Sequence, residues 1–212
     1  IQERLVVVSA AYELFRQVQL SGSDDRVEYA KAKKDLRQHL ADLNELLNRH
    51  MFAANGSNNE DEYAEFLSSH QPFHWLAEFY NIIHGNGGFD VVIGNPPYVE
   101  YNRKDPQTKK AISDCYRIQD YKTESCGNLY AYVIERCKVI ANNTSKQGFI
   151  IPSASLCTPR MNTLLNIMVN KASVWTSVWD ERPSKLFDGV DQQLSIHIMS
   201  INDKHYNSTY IT

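Results

Sequence analysis

The chain has 212 residues, 42% hydrophobic and 22% charged, which is the balance of a soluble globular protein of one medium domain or one and a half small ones. Its net charge of −3 excludes a dedicated nucleic-acid-coating module, yet it leaves room for an enzyme that meets DNA through one local face. No apolar run is long enough to span a bilayer, and the opening IQERLVVVSAAYELF has no signal-peptide pattern, so no membrane partner is expected.

Leu5, Val8, Tyr12 and Phe15 recur at three- and four-residue steps and predict a helix. LSGSDD interrupts it and offers Ser23 or Asp24 as the cap of a second helix, whose seam is Leu36, Leu40, Leu43 and Leu47. Two antiparallel helices packed on one seam follow. Ala53 to Glu62, polar and rich in Asn and acids, reads as a loop. A short helix over Trp75–His84 comes next, and the Gly85–Gly88 turn ends it. Trp75 and Phe79 read as core residues, and His74 as a structural histidine.

From Phe89 the pattern becomes strand alternating with helix. FDVVIG is a short apolar strand, and Glu100 to Gly127 is a long polar stretch that reads as a mobile segment. Asn128 to Ala141 has helical spacing, Gly148 to Pro152 is a strand, and Pro159 to Lys171 is a helix with its proline in the first turn. Val174–Trp179 and Leu194–Ile201 are two more strands, the last pairing by a hairpin-like return. His197 on that strand reads as structural. The expected fold is α/β, a parallel doubly wound sheet with helices on its faces. The expected division is a helical segment over 1–84 and a catalytic segment over 85–212.

Cys115, Cys126, Cys137 and Cys157 form no C-x-x-C pair and have no histidine at ligand spacing, so neither a zinc site nor a disulfide framework is expected. The chemistry points instead to Asn95, Pro96, Pro97 and Tyr98, directly after the first strand. In open α/β sheets the ligand site lies at the carboxyl ends of the strands. Each proline fixes its own φ, and Pro96 holds Asn95 extended, so the turn is stiff. The Asn95 side-chain oxygen and the Pro96 carbonyl suit the two hydrogens of a planar exocyclic amine, and Tyr98 offers a ring for stacking. Holding such an amine in one orientation is catalysis by positioning.

FDVVIGNPPYV resembles the catalytic motif of amino-methyltransferases that use S-adenosylmethionine. PFHWLAEFYNIIHGNGGFDVVIGNPPYVEY is similar to the DNA adenine-N6 methylases of restriction–modification systems, of the type IIG group. The resemblance implies the C-terminal half of a Rossmann-like methyltransferase sheet, preceded by a helical hairpin insert. It implies a double-stranded DNA substrate with a flipped adenine, and a bacterial or archaeal cytoplasmic setting. Asn95, Pro96, Pro97 and Tyr98 take the amine-binding and stacking roles, and Phe187, in SKLFDGVDQQLSI, closes the other face of the base. NLYAYVIE resembles a helix motif that packs on the cofactor's adenine. It makes Val133, Tyr132 and Asn128 cofactor candidates, with Phe89 and Asp90 beside them. The F-x-G-x-G cofactor motif and a target-recognition domain are not in these residues. The chain, which does not begin with Met, is therefore expected to be an excised piece that is inactive alone and binds cofactor weakly. A glutamine-amide methyltransferase and a non-catalytic relic of the fold are the alternatives.

Overall fold

In the opening segment the apolar spacing produces two helices, α1 (Gln2–Leu20) and α2 (Arg26–Ala53). The chain is described by a computed structural model at residues 1–21, 26–54, 56, 59–101, 104–116, 120–180, 185–187 and 191–201. Ser23 and Asp24, the expected caps of α2, lie outside these residues. The chain divides into two compact units, Ile1–Gly85 and Asn86–Thr212.

In the first unit Val8 and Leu43 are fully buried, with Ala77 and Tyr80 in the same cluster and Leu5, Tyr12, Leu40 and Leu47 against it. A helix the spacing did not predict, α3 (Glu60–His70), follows Asn59. The Asn59 side-chain oxygen accepts the Asp61 and Glu62 amides at 2.8 and 3.4 Å, and three acids in the first turn suit the positive end of the helix dipole. Tyr63 and Phe66 supply its buried face, packed against Phe52 of α2. The single helix expected over 75–84 is two pieces, α4 (Trp75–Glu78) and a π turn over Asn81–Gly85. Trp75 and Phe79 are half-buried and stack on each other at 5.6 Å. His74 bonds Asn48 at 2.7 Å.

In the second unit β1 (Phe89–Gly94) leads to α5 (Pro106–Tyr116), a 3-10 turn over Lys122–Cys126, and α6 (Leu129–Ile140). Next come β2 (Ala141–Pro152), α7 (Ala154–Cys157), a 3-10 turn over Pro159–Met161, α8 (Asn162–Val169), β3 (Ala172–Trp179) and β4 (Leu194–Ile201). The sheet order is β1-β2-β4-β3. β1, β2 and β3 share one direction, and β4 lies between β2 and β3, antiparallel to both. The expectation of a parallel sheet is corrected to a mixed one. The departure lies in β4 alone, which returns antiparallel beside β3, the hairpin-like return its sequence predicts.

The polar stretch after the motif also differs from expectation, because it contains α5. Asp105 caps that helix, its carboxylate accepting the Gln107 and Thr108 amides at 3.1 and 3.0 Å, and Pro106 fits the first turn. The Asp-Pro pair was the sequence signal for it.

One face of the sheet is covered. Val92, Phe149, Ile151, Val174 and Met199 pack with Tyr130, Ile134 and Leu164 in one core. The other face carries a row across all the strands, Ile93–Gly148–Ile198–Trp175, in which Ile93, Ile198 and Trp175 are exposed. Gly88, just before β1, has φ +130, and a Cβ there would meet the Ile140–Asn142 backbone at 2.6 Å. Only glycine allows the two backbones this approach. Among the described residues no helix is long and apolar enough to cross a membrane.

Candidate active site

The Asn95–Tyr98 turn begins where β1 leaves the ladder, after Gly94 pairs with Phe149 of β2. Asn95 and Pro97 are exposed, Pro96 is buried and Tyr98 is half-buried. The prolines leave the turn little freedom, and Tyr98 braces it. The Tyr98 hydroxyl bonds the Asn95 side-chain oxygen and also donates to the Ile150 carbonyl of β2 at 3.0 Å. Its ring stands edge-on to buried Tyr130 of α6, with centroids 6.4 Å apart. Burial raises the Tyr98 phenol, and Tyr130 more strongly, to about 12, so both stay protonated donors at neutral pH.

Beyond the turn the chain runs beside the start of α6. Leu129 donates its amide to the Val99 carbonyl at 3.0 Å, and Tyr101 to Gly127 at 3.1 Å, with Glu100 bridged to Asn128 between them. This short pairing places Asn128, the N-cap residue of α6, next to the chain leaving the motif. Asn128 is 7% exposed, and its side-chain oxygen is buried with no hydrogen-bond partner among the described residues. A buried acceptor without a donor is costly, and sites for ligands are where such groups are found.

Arg160 and Glu135, which sequence reasoning did not single out, hold this corner together with His197, read from the sequence as structural. Arg160, after the end of β2, forms an ion pair with Glu100. Glu135, in NLYAYVIE, accepts the Lys122 and Thr123 amides at 3.1 and 2.9 Å and the Thr123 hydroxyl at 2.8 Å, which fixes the 3-10 turn that feeds α6. Under the end of β2, buried His197 lies 2.8 Å from Ser195 and 3.0 Å from Thr176. Ser195 donates onward to the Ile151 carbonyl at 3.1 Å. Burial lowers the His197 imidazole to about 4, so it is neutral there. Only spatial proximity joins these residues, and no spacing in the chain signals it.

The expected site residues separate into two sets. Asn95, Pro96, Pro97, Tyr98 and Asn128 come together around the carboxyl end of β1. Val133 is half-buried against the core. Tyr132 is 6% exposed, stacked on Tyr101 at 5.8 Å and edge-on to Tyr121, so its ring is committed to packing. Phe89 and Asp90 stand at the opposite end of β1, roughly 17 Å from Asn95 at about 3.3 Å per residue. Asp90 bonds Asn86 and Asn142 there. Neither is brought beside the Asn95–Tyr98 turn. Phe187 is 39% exposed and makes no ring contact with Tyr98 among the described residues.

No curated protein matches the chain in sequence. Among protein families, residues 7–187 match the one described as Eco57I restriction-modification methylase. That match spans both units, includes the whole Asn-Pro-Pro-Tyr turn, and accords with a mixed α/β fold that presents a rigid polar turn at a strand's carboxyl end. The chain belongs to the Eco57I restriction-modification methylase family, a family of DNA methyltransferases.

Proposed function

We propose that this chain carries the amine-holding part of an adenine-N6 DNA methyltransferase of type IIG, in which Asn86 onward forms the catalytic half of the methyltransferase sheet. The observation that carries the reading is the braced turn: an exposed Asn95 amide on a stiff Pro-Pro backbone, pinned by Tyr98 to β2. A planar amine entering here meets the Asn95 side-chain oxygen and the Pro96 carbonyl, one acceptor for each hydrogen. These bonds draw the nitrogen lone pair out of conjugation and fix its direction. To reach the site the adenine leaves the duplex and lies against Tyr98, with Phe187 as the candidate for its other face.

Asn128 is the residue here that fits a cofactor. Its buried oxygen, without a hydrogen-bond partner among the described residues, would accept a donor from S-adenosylmethionine, and half-buried Val133 would add an apolar wall. Tyr132 does not fit, because its ring is packed between Tyr101 and Tyr121. When bound, S-adenosylmethionine supplies an electrophilic methyl group. Asn95, Pro96 and Tyr98 orient the amine toward it, and no charged base is required.

The test, made with the full-length parent protein, is transfer of labelled methyl from S-adenosylmethionine to adenine-containing duplex, with a glutamine-amide peptide as the competing acceptor. Transfer to adenine N6 that drops at least about 100-fold in Asn95→Ala is the expected result. Transfer to the peptide alone, or undiminished transfer in Asn95→Ala, overturns it.

A further inference from the structure

Ala30, Lys33, Lys34, Arg37 and Gln38 follow one another at three- and four-residue steps along α2, so they share one side of the helix. With Tyr29 they line an open groove of about 530 Å³. We infer that this groove is a docking strip for the phosphate backbone of a nucleic-acid duplex, an inference that rests on the DNA reading above.

Three observations support it. Lys33, Lys34 and Arg37 make no ion pair with a carboxylate among the described residues, whereas Arg4, Arg16 and Arg49 of the same unit all do. Like charges at i,i+3 and i,i+4 destabilise a helix, so this cluster costs stability that an anionic partner would offset. The Lys33 ammonium lies 5.8 Å from the Tyr29 ring centre, a cation–π contact that places the head group at the groove rather than in bulk water.

The second observation is contrast. Residues 1–85 hold eight Lys and Arg against thirteen Asp and Glu, while residues 26–38 hold five against two. A unit that repels phosphate overall and attracts it along one strip can meet a duplex in only one orientation. Asp35, the acid nearest in sequence, is turned about 160° around the helix from Lys33 and Arg37 at 100° per residue, so it does not neutralise them.

The third observation is reach. The helix rises roughly 6 Å from Lys33 to Arg37, nearly two of the roughly 3.4 Å steps that separate successive phosphates of one strand along the duplex axis. The strip therefore accounts for about two to three phosphate contacts.

The test uses the full chain and a fluorescent 30-base-pair duplex, with binding followed by anisotropy across salt concentrations. Neutralising the strip, Lys33→Gln with Lys34→Gln and Arg37→Gln, is expected to weaken binding and to flatten the slope of log affinity against log salt by about 2–3. The charge-preserving set Lys33→Arg, Lys34→Arg and Arg37→Lys should keep the slope, as should Arg16→Gln. Circular dichroism confirms that the helices persist. If the chain binds the duplex and the neutralised set keeps the full slope, the strip is refuted and the DNA reading survives. If the chain shows no salt-dependent duplex binding, both fail. If neutralisation abolishes binding to polyglutamate but leaves duplex binding intact, the strip serves an acidic protein and the inference is overturned.

Discussion

The Tyr98 hydroxyl bonds the Asn95 side-chain oxygen and lies 3.0 Å from the Ile150 carbonyl, so one phenol joins the turn after β1 to the end of β2. Its ring and its hydroxyl therefore have separable duties. Tyr98→Phe keeps the ring and frees Asn95. It is expected to cost about 1 kcal/mol by urea unfolding and to lower methyl transfer less than tenfold. Tyr98→Ala removes the stacking surface too and should lower transfer by a further tenfold or more, on the order of 1–3 kcal/mol per stacked base. Equal losses in the two variants would show that the ring holds nothing.

Glu135 is the acceptor for two amides and a hydroxyl of the turn that feeds α6. Glu135→Ala strands those donors, and hydrogen bonds to a charged group contribute about 1.5–3 kcal/mol. A loss of that size in unfolding free energy, read as a lower urea midpoint, is expected, together with weaker binding of S-adenosylmethionine through a displaced Asn128. An unchanged midpoint would remove Glu135 from the scaffold of the site.

At Gly88 a methyl group meets the Ile140–Asn142 backbone, and a φ of +130 is strained for any other residue. Gly88→Ala is expected to cost about 3 kcal/mol or more, because β1 and β2 must separate at the point where their pairing starts. A thermal shift under 2 °C would refute the close approach.

His197 faces Ser195 and Thr176, and burial lowers it to about 4 against about 6.5 in an unfolded chain. Between those values the unfolded chain holds a proton that the folded chain does not, so stability rises with pH across that window. The contribution is complete above about pH 6.5 and is lost as pH falls toward 4, on the order of 3 kcal/mol in all. His197→Asn should flatten urea midpoints between pH 7 and pH 5. The same slope in the variant would assign the effect to other groups.

The Ile93–Gly148–Ile198–Trp175 row exposes large apolar side chains next to one another. An open apolar face binds hydrophobic dyes. Ile198→Asp, at the centre of the row, is expected to cut 1-anilinonaphthalene-8-sulfonate fluorescence by about half or more without loss of helix signal. Unchanged fluorescence would mean that the face is covered in solution.

What was legible in the sequence was local. Leu194–Ile201 and FDVVIG read as strands from their apolar residues alone, and α1 and α2 from their leucine spacing, because these patterns need only the chain's own geometry. The Asn95–Tyr98 turn was legible because proline restricts the backbone wherever it stands. Caps were readable but were passed over: Asn59 and Asp105 each start a helix that composition alone hid.

Tertiary structure decided the rest. The return of β4 beside β3 was legible, but its insertion between β2 and β3 depends on pairing with a strand distant in sequence. Phe89 and Asp90 adjoin the motif in sequence, yet a strand is extended and carries them to its far end. Glu100, Asn128, Ile150 and Arg160 are separated along the chain and meet only where β1, β2 and α6 converge. The sequence by itself determined a rigid turn able to hold an amine; only the fold decided which side chains hold the turn.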